Sequence, residues 1–153
     1  MAQKSKKEHI IQTALPLFLK NGFKATSIDL VVKKSQVSKP TVYNHFPDKA
    51  ALMLAVTILW VEQNQPEIAH ISSQVQFENL IPDVWLNPET VEFFALVIGE
   101  GRRFPLAKKV FWEKFDQPWR IAFIKACGQV ASFDQEMIEL ILDKSLLTRL
   151  RQL

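Results

Sequence analysis

Apolar residues recur along this chain at intervals of three and four, and the pattern predicts helices almost throughout. Ile10, Ile11, Ala14, Leu15 and Phe18 form the buried stripe of a first helix. Ser5 and Glu8 have the spacing of a capping box and place its start, and Asn21-Gly22 places its end, with Gly22 free to take a left-handed stop. Pro16 lies inside that pattern and predicts a bend, since an interior proline costs about 3 kcal/mol if unrelieved. A second helix is predicted over 27–34, capped by Ser27, with Ile28, Val31 and Val32 on one face. Ser35-Gln36-Val37 is a tight connection. A third helix opens at Ser38 with Pro40 in its first turn and ends near His45-Phe46. A fourth is predicted over 48–64, with Ala51, Leu52, Ala55, Ile58 and Leu59 facing inward and Pro66 beyond its end. Further helices are expected over 67–81, over 87–103 with Asn87-Pro88 as cap and first residue, from Pro105, from Pro118, and over 134–152. No segment alternates like a strand, so the expected fold class is all-α: an N-terminal three-helix unit over 1–47 and a C-terminal helical bundle over 48–153.

Composition agrees with a globular chain, at 48% apolar and 23% charged residues. Cys127 is the single cysteine, so an internal disulfide is excluded, and no Cys/His group has metal-ligand spacing. The basic first residues are not followed by a signal-peptide pattern, and the apolar run over 50–61 is too short to span a bilayer, so a cytoplasmic protein without membrane contact is expected. No glycine-rich phosphate loop and no nucleophile elbow occur. Cys127 reads as a buried apolar side chain and Glu89, Glu92 and Glu100 as surface carboxylates, so no enzyme activity, cofactor or metal is expected. Charge placement changes the picture more. Residues 1–50 carry nine lysines against Glu8, Asp29 and Asp48, a balance of +6, whereas 51–153 carry ten basic against thirteen acidic residues, a balance of −3. A basic head on a mildly acidic body suits a molecule that meets a polyanion at one end.

Two short helices joined by a three-residue turn, with a lysine in the first turn of the second, make a helix-turn-helix pattern. The second helix of such a pair fits the major groove, and its N-terminal amides favour phosphate. Its spacing puts Tyr43 beside the reading face, while Phe46 reads as core. The aromatic residues of the later region are mostly core, with a minority left to line a ligand pocket.

Thr26-Ser27-Ile28, then the run from Val37-Ser38-Lys39-Pro40-Thr41-Val42-Tyr43-Asn44-His45-Phe46 to Lys49 and Leu52, resembles the DNA-binding domain of the tetracycline-repressor (TetR/AcrR) family. Ala14, Phe18, Gly22 and Phe23 fit the same pattern, and Ile98 to Pro105 is similar to the C-terminal part of AefR-like members. The resemblance implies a transcriptional regulator, a repressor released by a small apolar ligand, associated with the nucleoid. Its partners would be double-stranded operator DNA and a second copy of the chain, with 48–153 sensing the ligand and dimerising. It assigns DNA contact to Ser27, Ser38, Lys39, Thr41, Tyr43, Asn44, His45 and Lys49: Lys39 and Asn44 toward bases, Thr41 toward base or phosphate, Tyr43 and Lys49 toward phosphates, His45 near the backbone. The chain departs from the family at Gln36, where relatives usually carry glycine, and at Leu30, where an acid is common. The alternative is a helical interaction protein that pairs with a full-length relative and has lost operator binding. A small-molecule binder without DNA output is a third reading.

Overall fold

The computed structural model describes residues 5–128 and 133–153, which form nine α-helices and no strand. Helix α1 (Lys6–Ala25) begins as its cap predicts: the Ser5 hydroxyl accepts from the Glu8 amide at 3.2 Å and the Glu8 carboxylate accepts from the Ser5 amide at 2.9 Å. The backbone stays helical through Pro16, where a bend was expected, and departs from helical geometry at Gly22 (φ 77°, ψ 168°). The residues 23–25 beyond it form a short terminal turn, so the stop predicted at Gly22 is present inside the element. Helices α2 (Ile28–Ser35), α3 (Lys39–His45) and α4 (Lys49–Gln63) follow, then α5 (Gln74–Val84), α6 (Pro88–Glu100), a 3-10 turn (Gly101–Arg103), α7 (Pro105–Phe111), a π-helical turn (Trp112–Asp116), α8 (Gln117–Cys127) and α9 (Gln135–Leu150).

Three expectations are corrected. Residues 64–73 carry no helix, although helix was expected from 67; the Ile71 amide donates instead to the Ala126 carbonyl at 3.1 Å, and Ser73 caps α5. Helix α6 ends at Glu100 rather than near 103 and tightens into the 3-10 turn. The buried face of α4 is Leu52, Met53, Val56, Thr57, Trp60 and Val61, with Ile58 exposed. This helix is apolar almost all round, so periodicity does not select a face, and packing on α1 and α7 decides it.

Two compact units account for the chain: Met1–Gln63 with Leu96–Phe111, and Asn64–Ala95 with Trp112–Leu153. The 47/48 boundary read from the sequence falls between α3 and α4, whereas compactness groups α4 and residues 96–111 with the three-helix head. In that first unit α1 packs on α2, α3 and α4 around Ile10, Ala14, Phe18, Val31 and Val42, and α4 packs on α7 with Trp60 against Phe111. The second unit is built on aromatic contacts. Trp85 meets Phe94 edge-on at 5.7 Å, Phe77 meets Phe123 at 5.5 Å, and Trp119 lies between Phe115 and Phe123. The Trp85–Phe94 and Phe77–Phe123 pairs are edge-to-face, an arrangement that contributes beyond the area the rings bury. Pro118 has no amide to continue the helical ladder, and the Lys114 carbonyl four residues earlier accepts from Gln65 Nε2 at 3.2 Å. The π-helical turn lies on this stretch.

Candidate nucleic-acid interface

Local capping builds the α2–α3 pair. The Ser27 hydroxyl accepts from the Leu30 amide at 3.1 Å and starts α2. Helix α2 closes at Gln36, which takes the left-handed conformation (φ 56°, ψ 23°) and donates its amide to the Val32 carbonyl at 3.0 Å. The residue that departs from the glycine of relatives therefore still makes the left-handed turn. His9 on α1 bonds the Ser35 carbonyl through Nε2 at 2.9 Å and holds the end of α2. The Ser38 hydroxyl then accepts from the Thr41 amide at 3.4 Å, shares a 2.7 Å hydrogen bond with the Thr41 hydroxyl, and starts α3.

Helix α3 turns one side inward. Val42 is fully buried, and Phe46, four residues on, is 2% exposed. Lys39 and Tyr43, and Pro40 and Asn44, are pairs with the same spacing, and all four are exposed. Ser38 and His45 are exposed as well, and Thr41 is half-buried. Tyr43 is 43% exposed, which puts its ring outside the core and leaves Phe46 as the core aromatic of the pair. The Lys39 ammonium pairs with Asp29 on α2 at 2.7 Å, a hydrogen bond that raises its pKa above the ordinary lysine value. Ser27, Tyr43 and Lys49 come together around an open depression also lined by Ile28, Asp29, Pro47 and Asp48. Of the eight residues singled out from the sequence, Ser38, Lys39, Thr41, Tyr43 and Asn44 thus share the outer part of α3, Ser27 and Lys49 flank it, and His45 sits at its end.

Lys49 has an additional occupation. Its ammonium donates to the carbonyls of Phe23 at 2.7 Å and Lys24 at 3.2 Å, and lies 4.5 Å over the Phe23 ring. Burial lowers its pKa first, against the opposing attraction of Glu100. Glu100 itself is a correction to the sequence reading. It is no free surface carboxylate: Oε1 accepts from the Phe23 amide at 2.8 Å and Oε2 from the Lys24 amide at 2.9 Å. A partner 76 and 77 residues away leaves no signal in local spacing; the one hint is the stop at Gly22, which strands amides that need an acceptor. Among the described residues, no group of three or more His, Cys, Asp or Glu side chains is arranged to hold a metal ion, and no helix is long and apolar enough to cross a membrane.

Residues 10–56 match the family model described as bacterial regulatory proteins, tetR family. Over 111 residues, 64% of this chain, the sequence is 34% identical to the uncharacterized HTH-type transcriptional regulator YuxN of Bacillus subtilis and covers 36% of that protein. Over 65 residues, 40% of this chain, it is 38% identical to the HTH-type transcriptional regulator QacR of Staphylococcus aureus and covers 35% of it. The chain thus spans about a third of the length of these curated relatives. Among solved structures, Salmonella enterica GusR matches 94% of this chain and 81% of its own with a TM-score of 0.67 at 22% identity. A structure from Mesorhizobium loti described as a TetR-family transcriptional regulator matches 95% of both chains with a TM-score of 0.65 at 20% identity. Likeness at this level of identity concerns the fold, an N-terminal helix-turn-helix followed by a helical body.

Proposed function

We propose that the chain is a member of the tetR family of bacterial regulatory proteins, whose family model its residues 10–56 match, and a DNA-binding transcriptional regulator, a repressor whose operator affinity is lowered by a small apolar ligand. The observation that carries the reading is the outer face of α3: Lys39, Tyr43 and Asn44 are exposed on a helix anchored from behind by Val42 and Phe46. A helix of this kind lies in the major groove with its N-terminal residues at base edges, phosphate contacts setting register and base contacts setting sequence preference. In this reading Lys39, Thr41 and Asn44 face bases. Ser27, Ser38 and Tyr43 hold phosphates, His45 lies along the backbone, and Lys49 adds charge from behind. The protein acts as a homodimer on a two-fold operator, in the cytoplasm, with ligand sensing and dimerisation in residues 48–153. The ligand acts by binding more tightly to the state with the wrong spacing between the two heads. No catalytic role is assigned.

Fluorescence anisotropy of the full chain with duplex DNA from its own promoter region, repeated over several salt concentrations, tests the proposal. The expected result is binding whose logarithm falls linearly with the logarithm of salt, by about 0.9 per phosphate neutralised. Equal affinity for unrelated duplex, or binding indifferent to salt, overturns it.

A further inference from the structure

Glu100 is an acid placed where an acid should hurt. It is the last residue of α6, and its carboxylate sits against the end of α1 within the unit that carries the basic head. Simple electrostatics makes a carboxylate there unfavourable for a protein that binds a polyanion.

Backbone accounting explains it. The turn at Gly22 breaks the α1 ladder, so nearby amides and carbonyls lose their helical partners and need others. Side chains supply them. The Thr26 hydroxyl, fully buried, is within 2.9 Å of the Leu17 carbonyl and 2.8 Å of the Gly22 carbonyl. The Lys49 ammonium takes the Phe23 and Lys24 carbonyls, and the two Glu100 oxygens take the Phe23 and Lys24 amides, one each. Cation and anion therefore grip the same two residues, one through their carbonyls and the other through their amides. Fit is close: a Cβ added at Gly22 would lie 2.5 Å from Glu100 Oε1. The Phe23 ring is fixed as well, against Phe104 at 4.9 Å and Phe18 at 5.8 Å. Thr26 and the α2 cap Ser27 follow at once in the chain, so this turn sets the direction in which α2, and through Gln36 α3, leaves α1.

We infer that Glu100 is a positioning residue for DNA reading: it touches no DNA, and by holding the Phe23 and Lys24 amides it fixes the orientation of the α2–α3 pair. The inference rests on the DNA-binding reading, and its sign opposes plain charge removal. Glu100→Gln takes away a negative charge yet should weaken specific binding, because an amide side chain offers one acceptor oxygen where two amides need one.

Two measurements on the full chain decide it. Hydrogen exchange without DNA should show faster exchange at Phe23 and Lys24 in Glu100→Gln, with α5 and α8 unchanged; unaltered protection at 23–24 overturns the inference whatever the protein binds. Anisotropy with promoter duplex should then show about tenfold weaker binding with an unchanged salt slope, since no phosphate contact is lost, whereas Lys39→Ala should reduce the slope. Affinity that is equal or higher in Glu100→Gln overturns the positioning role while leaving DNA binding intact, and failure of the wild-type chain to bind overturns the functional reading instead. Gly22→Ala attacks the same contact from the backbone side. With that change present, Glu100→Gln should have little further effect on affinity, and effects that multiply independently count against a shared contact.

Discussion

Lys39 and Asp29 show how a single ion pair can tune a reading head. Both side chains are largely exposed, at 54% and 70%, so the 2.7 Å contact contributes little to folding. In the proposed mode of DNA binding it matters more, because there Lys39 would have to leave Asp29 to reach DNA and Asp29 would face the polyanion. Asp29→Asn should therefore raise DNA affinity by about twofold to fivefold with no measurable change in the unfolding midpoint. Anisotropy and thermal melts check this, and weaker binding in the variant would mean that Asp29 orients Lys39 for the groove. Asp116 poses the opposite problem, a carboxylate inside the aromatic unit. Its Oδ2 accepts from Arg120 Nε at 2.9 Å, Arg120 also bonds Asp143 at 2.7 Å, and Oδ1 is buried without a partner. Burial raises its pKa, Arg120 pulls it down, Asp143 pushes it up again, and the balance is upward. The native state therefore holds this proton more tightly than the unfolded chain between the ordinary carboxylate pKa of about 3.9 and the raised native value. In that window stability from this group falls as pH rises. Subtracting the urea-unfolding free energy of Asp116→Asn from that of the wild type across pH 3.5–7 should leave a difference that declines with pH. A rising difference would show that the Arg120 pair outweighs burial.

Helices whose limits are set by their own residues were legible in the sequence; those set by distant residues were not. Ser5, Ser27, Ser38 and Asn87 each cap an amide three residues on, and the hydroxyl or amide that does so lies beside the helix it starts. The three-helix head and its exposed α3 were readable for that reason. The inward face of α4 was not, because an all-round apolar helix takes its orientation from α1 and α7. The roles of Lys49 and Glu100 were hidden in the same way: the Gly22 turn is visible, but the side chains that satisfy it come from α4 and α6. Gln36 is the local exception. A left-handed φ of 56° on a residue with a Cβ is strained, and a glycine there relieves strain while adding freedom to the unfolded chain. The first effect is the larger in a rigid C-cap, so Gln36→Gly should stabilise by about 0.5–1 kcal/mol, a rise in Tm of about 1–4 °C for a chain of this size. DNA affinity should not change, since Gln36 belongs to the turn and not to the outer face of α3. A lower Tm would show that the Gln36 side chain holds the turn by contacts of its own.

At the scale of the whole molecule, charge and association act on the same equilibrium. In the proposed mechanism a head with a balance of +6 would neutralise a limited number of phosphates, so one head alone would have modest affinity and a shallow salt dependence. Two heads joined in one particle double the phosphates engaged, and the second binds at the effective concentration set by the first. Helix α9 is where joining is expected. It buries Ile138, Leu142 and Leu146 against its own unit, yet leaves Leu140 and Leu147 exposed at 67% and 55%, seven residues apart and therefore on one face. Replacing both, as Leu140→Lys with Leu147→Glu, keeps the inward face and net charge while removing the outer apolar one. Sedimentation velocity of the wild-type chain at micromolar concentration should give twice its 17.6 kDa mass, and the double variant should sediment as a monomer with unchanged helical content. The variant should also bind promoter DNA with about half the wild-type salt slope, because half the phosphate contacts are gone. A monomeric wild type at every concentration would remove the two-headed mechanism. A variant that stays dimeric would move the interface off these leucines, and a monomeric variant with the full salt slope would mean that a single head already makes every phosphate contact.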